Sequence, residues 1–363
     1  MLWGRARRIL DPGFTQAALR TYHQAMQSVA DDMLASFPEH GRVDIHQLMT
    51  NATLEVIARA GFSRNLGLFS ESSDPQVTDL IDTLNGVLSW ASESSNDIPG
   101  LGHVRGAIQR RRLEGGLQRA RQYVDQIVAD RADGSEASDN NDLLALMLAA
   151  TDPETGEALP HENIRDQVLT FLVAGHETTA ALLETTLWYL ARDRQLVAQI
   201  RAEATERGFG YDGVAGMRVT RRVLNESLRL WPPVPGYFRV SRTDQQLGGY
   251  NIPAGHSVFV HVLAAQRDRQ AWGPDAGTFD PGRLDAKELR RYPDRFFVPF
   301  GTGPRSCIGR AFAMQESALL ISRIVSAYDL DLEVSASVTD PDMLERGTLR
   351  PTPYHCSVTA VRT

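Results

Sequence analysis

Lysine and cysteine are scarce in this 363-residue chain, and it has no long apolar run. Lys287 is the only lysine, so arginine supplies the other basic residues, and the net charge is -7. This charge argues against nucleic-acid binding, because proteins of that class usually carry a basic excess. With only Cys307 and Cys356, a dense disulfide framework is excluded and a reducing, cytoplasmic location is favoured. Without an apolar run of about 18 residues, no membrane-spanning helix is predicted.

Helical patterns dominate what is present. They predict helices over residues 13–37, 44–60, 108–130, 141–150, 162–192, 219–230 and 308–328. Short strands are predicted near 248–255, 257–263, 330–334 and 355–361, and turn formers predict loops over 70–75 and 130–141. There is no internal repeat and no linker. We therefore expect one domain over residues 1–363, mainly α with small β-sheets (α+β).

Residues 300–309 have the pattern F-x-x-G-x-R-x-C-x-G and lead directly into a predicted helix. A thiolate at Cys307 would be a strong iron ligand that favours O–O cleavage, and a helix N-terminus would lower the pKa of its thiol. Gly301, Gly303 and Gly309 would allow tight turns and close approach to a flat macrocycle. A lone cysteine is more often a small buried hydrophobe, but the complete pattern favours an iron ligand.

Residues 174–179, Ala-Gly-His-Glu-Thr-Thr, lie inside a predicted buried helix. Gly175 and Thr178 have poorer helix propensity than alanine, and a broken local rule in a strong helix indicates a functional position. Glu177 and Thr178 could relay the protons that oxygen activation consumes, while Gly175 would leave room for oxygen and substrate. The alternative is a packing glycine beside a satisfied threonine. His176 is interpreted as structural.

Glu226 and Arg229 stand at i and i+3 of another predicted helix, and Arg283 follows in a Phe-Asp-Pro-Gly-Arg-Leu segment. Such charged pairs are common on solvated helices, so the pair alone indicates little.

Together these motifs, in this order, resemble the cytochrome P450 superfamily of haem-thiolate monooxygenases. The resemblance implies haem b with Cys307 as axial ligand, Phe300 shielding the sulfur, and Glu177 and Thr178 as catalytic residues. It also implies a buried triad of Glu226, Arg229 and Arg283 that supports the cysteine loop; removing one member should cost about 3 to 5 kcal/mol.

Further residues receive roles from the same resemblance. Arg305 suits a haem propionate. Trp3 and Arg7 match a W-x-x-x-R motif that contacts propionates, and Arg239 falls where an arginine often does so, against the alternative of a surface cation. Val234 and Pro235, with Gly236, fall in the substrate-lining turn.

Family members normally carry roughly 70 to 100 residues before the tryptophan motif, about a small domain's worth of chain. The N-terminal helices and most of the first β-sheet are therefore expected to be missing. Either Met1 is a misassigned start or the chain is a fragment. If Met1 is the true start, we expect an open pocket, strands after Gly249 without partners, and poor haem retention.

Segments 152–157, 171–179 and 224–232 look similar to bacterial fatty-acid hydroxylases that are fused to a reductase. A fatty acid is thus the first substrate class, by analogy only. Since no flavin or nicotinamide domain follows Thr363, a separate ferredoxin or flavoprotein is expected to donate electrons. The alternatives are a haem-thiolate peroxygenase, and a remnant that binds little or no haem.

Overall fold

The computed structural model describes residues 2–70, 74–95, 102–132, 141–285, 287–288, 296–334, 337–345 and 347–361. It describes the side chains of all these residues except 88–95, 102–112 and 132. The α-helices are α1 (Leu2–Leu10), α2 (Gln16–Ala35), α3 (Ile45–Phe62), α4 (Pro75–Ser95), α5 (Gly102–Ala132), α6 (Leu143–Ala149), α7 (His161–Leu190), α8 (Arg194–Arg207), α9 (Tyr211–Ala215), α10 (Arg218–Leu230), α11 (Val262–Ala265), α12 (Arg269–Trp272) and α13 (Arg310–Ala327). The strands are β1 (His40–Asp44), β2 (Tyr237–Val240), β3 (Gln245–Leu247), β4 (Tyr250–Ile252), β5 (Ser257–Val260), β6 (Tyr328–Leu332), β7 (Met343–Glu345), β8 (Leu349–Pro351) and β9 (His355–Ala360).

Every predicted helix is confirmed within a few residues, except that α5 starts earlier than predicted. Side-chain caps explain several of the starts. The side chains of Thr15, Asp44, Asp142 and Asp193 accept hydrogen bonds from the first-turn N–H groups of α2, α3, α6 and α8. Such caps satisfy donors that have no partner within the helix. The predicted loops over 70–75 and 130–141 fall largely outside the described residues.

The sequence prediction missed α4. Pro75 occupies its first position, where a missing N–H costs nothing, and Val77, Leu80 and Leu84 form its buried stripe. Weak helix formers such as Thr83 obscured this stripe.

Helices α4 and α5 approach closely at a glycine. A Cβ added at Gly116 of α5 would lie 2.6 Å from Oγ1 of Thr83 on α4, so a larger residue there would push the two helices apart.

Helix α7 lies at the centre of the core. It contacts α3, α5, α10, α13 and β8, and its second half is almost continuously buried. Helix α3 is its most extensive neighbour, and α13 packs against α2, α8 and α10. Within the described residues, no helix combines the length and apolar character needed to cross a membrane.

The strands form small antiparallel sheets. A three-stranded sheet has the order β1–β9–β6. Strand β1 was not predicted, nor were β2, β3, β7 and β8. Strands β2 and β5 pair with each other, as do β3 with β4 and β7 with β8. The expectation that the strands after Gly249 lack partners is therefore wrong, because Leu247 pairs with Tyr250 across a Gly-Gly turn and β5 pairs with β2.

Candidate functional site

The cysteine loop is held in shape by its own backbone. Gly301 and Gly303 have φ angles of 68° and 71°, a left-handed conformation that glycine adopts without strain. The Cys307 N–H donates to the Phe300 carbonyl at 2.9 Å, and Ser306 N–H donates to Gly303. These bonds close the loop, which leads into α13 at Arg310.

The Cys307 side chain is exposed. The protein around the sulfur nevertheless desolvates it and raises the pKa of the thiol. The backbone N–H groups of Gly309 and Arg310 and the charges of Arg7 and Arg310 act in the opposite direction without compensating for the desolvation. The groups at the start of α13 thus lower the pKa of the thiol as predicted, but desolvation, which the sequence does not show, raises it by more.

Helix α1 lies directly against the cysteine loop. Arg7 Nη1 donates to the Ser306 carbonyl at 2.9 Å, next to Cys307. The Arg305 guanidinium lies 3.6 Å from the centroid of the Trp3 ring. Trp3 is 42% exposed. The structure thus brings together four residues that the sequence assigned to cofactor binding, two from each end of the chain: Trp3, Arg7, Arg305 and Cys307.

Phe14 connects this loop to α7. A Cβ on Gly309 would lie 4.0 Å from the Phe14 ring, and the Phe14 and Phe171 centroids are 5.8 Å apart. Phe171, Ala174 and Thr178 share one face of α7 through their i, i+3 and i+7 spacing. The face of α7 that carries Thr178 therefore also carries Phe171, which contacts Phe14 beside the cysteine loop.

On that face, Ala174 is exposed and Thr178 is half-buried. Thr178 Oγ1 donates to the Ala174 carbonyl at 2.8 Å, as expected for a mid-helix threonine. The contact of Gly175 with α3 favours the packing-glycine alternative, and its role of leaving room for oxygen and substrate stays a prediction. A Cβ there would lie 3.2 Å from Ile57 Cγ1, so this glycine allows α3 and α7 to pack closely.

Glu177 is buried and points away from solvent, into a polar cluster. Its Oε1 accepts a hydrogen bond from Thr348 Oγ1 at 2.9 Å and lies 3.0 Å from Arg350 Nη1. The neighbouring His176 is fully buried, and this burial lowers the pKa of its imidazole. Its Nδ1 bonds to the Leu172 carbonyl, which fits the structural interpretation.

The three residues of the predicted triad meet. Arg229 Nε lies 2.7 Å from Glu226 Oε2, with both side chains fully buried, and Arg283 Nε lies 3.8 Å from Glu226 Oε1. Burial raises the pKa of Glu226, against the opposing effect of Arg229. Arg229 also donates to the carbonyls of Gln266 and Ala276, at 2.9 and 2.7 Å.

Sequence reasoning missed Gln266, which is fully buried. Its side-chain amide donates to the Leu228 carbonyl and its Oε1 accepts from Val298 N–H at 3.0 Å. Val298 in turn accepts from Gly301 N–H at 2.9 Å, within the cysteine loop. No local motif signals this residue, because its partners lie far away in the sequence.

The remaining predicted residues lie elsewhere. Arg239 is exposed on β2, where its guanidinium stacks on Tyr237 with its Cζ 4.2 Å from the ring centroid, so its described contacts favour the surface-cation alternative. Val234 is 43% exposed. Pro235 accepts from Leu263 N–H at 3.0 Å, while its neighbour Pro233 accepts from Leu349 N–H of β8 at 2.8 Å.

These residues fit a haem group. The exposed Cys307 stands on a loop of glycines, the charges of Arg7 and Arg310 act on its thiol, and Arg305 precedes it by two positions and lies over Trp3. Guanidinium groups are suited to carboxylates such as propionates.

Comparison with known proteins agrees with this assignment. The family model described as cytochrome P450 matches residues 2–358. The bifunctional cytochrome P450/NADPH–P450 reductase 1 of Bacillus subtilis is 33% identical over 366 residues, which cover 98% of this chain and 33% of that protein. A self-sufficient cytochrome P450 monooxygenase of Aspergillus niger is 32% identical over 90% of this chain and 30% of its own length. This chain thus spans about a third of the length of these curated relatives.

Solved structures give the same result. A crystal structure of a cytochrome P450 superposes with a TM-score of 0.87 at 32% identity, covering 99% of this chain and 82% of that one. A cytochrome P450 haem domain superposes with a TM-score of 0.88 at 32% identity, covering 99% and 78%. On the loop around Cys307, the fold and these matches, the chain belongs to the cytochrome P450 family.

Proposed function

We propose that residues 1–363 form one haem-thiolate domain that inserts an oxygen atom from O2 into a C–H bond of a hydrophobic substrate. The overall reaction consumes the substrate, O2, two electrons and two protons, and yields the alcohol and water. Haem, when bound, supplies the reductive activation of O2. The observation that carries the proposal is the exposed Cys307 on its glycine loop, joined through Phe14 to the Thr178 face of α7.

In this proposal Cys307 ligates the iron, and Trp3, Arg7 and Arg305 hold the propionates. Thr178 presents a hydroxyl on the reacting face, and Glu177 brings protons to it from the polar cluster behind α7. Phe300, whose carbonyl accepts the hydrogen bond from Cys307 N–H, would limit the access of water to the sulfur. The Glu226, Arg229 and Arg283 triad acts on the reaction only by keeping the cysteine loop in place.

The decisive measurement is the absorption spectrum of the reduced, CO-bound protein. A red-shifted Soret band is expected for the wild type and for Cys356→Ala, which changes the other, buried cysteine. Cys307→Ala should lose that band. A haem-loaded wild type without the band would overturn the proposal, and a chain that takes up no haem would support the remnant alternative.

We further propose a fatty acid as substrate, on the likeness of segments 152–157, 171–179 and 224–232 to fatty-acid hydroxylases. The exposed Val234 and the adjacent Pro235 would contact it. Titration with a long-chain fatty acid, its methyl ester and the alkane of equal length should give a change in the Soret band that is largest for the acid. Equal responses to all three would exclude recognition of the carboxylate.

For the electron donor we propose a flavoprotein of the NADPH–P450 reductase type, since relatives carry that name. A ferredoxin is the alternative. Each donor would be tested for reducing the haem under CO. Hydroxylation with hydrogen peroxide but not with either reductant would favour the peroxygenase alternative. The cytoplasmic location also stays a prediction, which cell fractionation would test.

A further inference from the structure

The strand β8 and the residues just before it contact α7 at the acid of the proposed proton relay. Thr348 and Arg350 both contact the same oxygen of Glu177, Oε1, at 2.9 and 3.0 Å. They stand at i and i+2, a spacing that places side chains on one face of an extended chain. Both are buried, so neither contact is a solvated surface pair.

Arg350 bonds two carboxylates at once. Its Nη2 forms a close ion pair with Glu184, two turns further along α7, and its Nε donates to the same carboxylate at 3.2 Å. Nη2 also donates to Thr50 on α3 at 3.1 Å. Burial lowers the pKa of this guanidinium, but the two carboxylates raise it by more, so it stays above its ordinary value. The guanidinium is therefore a fixed cation bound on several sides.

These contacts leave the two Glu177 oxygens in different positions. Arg350 and Thr348 hold Oε1, whereas Oε2 lies 3.7 Å from His176 Nε2. A carboxylate held by one oxygen in a fixed rotamer can gain or release a proton on the other without reorienting. An arginine cannot itself pass on a proton, because it stays protonated in proteins.

We propose that Arg350, assisted by Thr348, is a positioning residue that holds Glu177 by Oε1, so that Oε2 carries the protons consumed in oxygen activation. This inference rests on the proposed monooxygenase function. Each proton comes from solvent, is held transiently on Oε2 and ends in the product water; no further oxidant or reductant is needed.

The same segment contacts the predicted substrate-lining turn. Leu349 lies between the two positioning residues, and its N–H donates to the Pro233 carbonyl at 2.8 Å, next to Val234 and Pro235. Strand β8 therefore ties the position of Glu177 to the position of that turn.

The test compares Arg350→Met, Arg350→Lys and Thr348→Val with the wild type in haem-loaded protein, with Glu177→Gln as benchmark. Arg194→Met is the matched control, because it removes the guanidinium of a solvent-exposed ion pair with Asp331. The readouts are the CO-bound spectrum, product formed per NADPH oxidised, hydrogen peroxide released, and infrared difference spectra of protonated carboxyl groups.

With the red-shifted Soret band retained, Arg350→Met should lower product per NADPH on the order of 100-fold, as expected for a misplaced catalytic group, with KM unchanged. Peroxide should account for the missing product. Arg350→Lys should restore part of the yield, and Thr348→Val should show a smaller loss. In Arg350→Met a protonated-carboxyl band should appear that Glu177→Gln abolishes.

If haem-loaded Arg350→Met and Thr348→Val form as much product per NADPH oxidised as the wild type, the inference is overturned. An equal loss in Arg194→Met would also overturn it, as would a loss that only follows a vanished CO band, since either indicates general destabilisation. If Arg350→Met does not fold, Thr348→Val decides, because it keeps the volume and removes only the hydroxyl donor. A wild type without the CO band would instead refute the proposed function.

Discussion

Gln266 Oε1 accepts a hydrogen bond from Val298 N–H at 3.0 Å, which joins the buried triad to the polypeptide that forms the cysteine loop. On its other side, Gln266 donates to Leu228 and its carbonyl accepts from Arg229. One amide side chain therefore transmits the position of α10 to the loop around Cys307.

Replacing Gln266 by methionine should loosen that loop without touching the cofactor. The change leaves the Val298 N–H and the Leu228 carbonyl buried without their partner, at a cost of about 1 to 3 kcal/mol. Urea unfolding should show that loss, and haem should dissociate faster. Gln270→Met, at an exposed position nearby, is the control and should change neither. Unchanged haem dissociation in Gln266→Met would show that the loop does not depend on this bond.

The sequence predicted those parts of the site whose residues lie close together in short motifs. The cysteine loop, the Glu177–Thr178 pair and the Glu226–Arg229 pair are of this kind. In each, spacing along one helix or one turn already determines which side chains share a face.

Gln266, Phe14 and Arg350 were missed because their roles arise from contacts between distant segments, which leave no local pattern. Gly175 shows the converse case. Its motif suggested space for a ligand, but the neighbour that matters is Ile57 on α3, and no spacing within α7 could have indicated it. The net direction of the Cys307 pKa was missed for a similar reason, because desolvation depends on the packing of the whole loop region.

Removal of Arg229 should be the most destabilising change in the triad. Arg229→Met leaves the Glu226 carboxylate buried without its main partner, and such losses cost about 3 to 5 kcal/mol. The double variant Glu226→Met with Arg229→Met should be more stable than Arg229→Met alone, because it also removes the uncompensated charge. It should still be less stable than wild type, since the Gln266 and Ala276 carbonyls lose their donor.

The matched control is Arg222→Met on the same helix. Arg222 pairs with Asp285 near the surface at 3.2 Å, an arrangement that contributes about 0 to 1 kcal/mol. Chemical denaturation measures the free energy of unfolding of the wild type and of each variant. A double variant less stable than Arg229→Met would mean that the carboxylate has other stabilising partners.

Glu316 on α13 should make stability depend on pH. Its side chain is buried, and burial raises the pKa of this carboxyl well above the ordinary value of 4.5. Because of this raised pKa, the folded state binds more protons than the unfolded state at pH values above 4.5. The free energy of unfolding therefore falls as the pH rises from that value to the pKa of the folded state. Below the ordinary value the carboxyl is protonated in both states, so this loss of stability is absent.

Glu316→Gln removes the ionisable group but keeps its shape. Its free energy of unfolding should therefore decline less from acid to alkaline pH than that of the wild type. Urea titrations over that range measure the difference, and Glu206→Gln, exposed on α8, should follow the wild type. Parallel curves for Glu316→Gln and wild type would show that this carboxyl does not titrate differently in the folded and unfolded states.

Asp152 should determine how firmly α1 lies on the cysteine loop. This buried carboxylate accepts two hydrogen bonds from Arg8 of α1, both at 2.7 Å, and further bonds from Glu154 N–H and Thr155. The bond from Arg8 contributes most to holding the pKa of Asp152 well below its usual range. Because the folded-state pKa is lowered, this stabilisation is present above the ordinary value of 3.8 and is lost as pH falls below it.

Asp152→Asn should therefore weaken the attachment of α1, which carries Trp3 and Arg7 to the loop. We expect faster hydrogen exchange in α1 at neutral pH and faster haem loss, with little change in α7. Asp212→Asn is the control, because it breaks a similar two-bond pair with Arg20 that is exposed to solvent. If the Asp152 variant lost haem no faster than the Asp212 variant, Trp3 and Arg7 would not depend on this attachment for their position at the site.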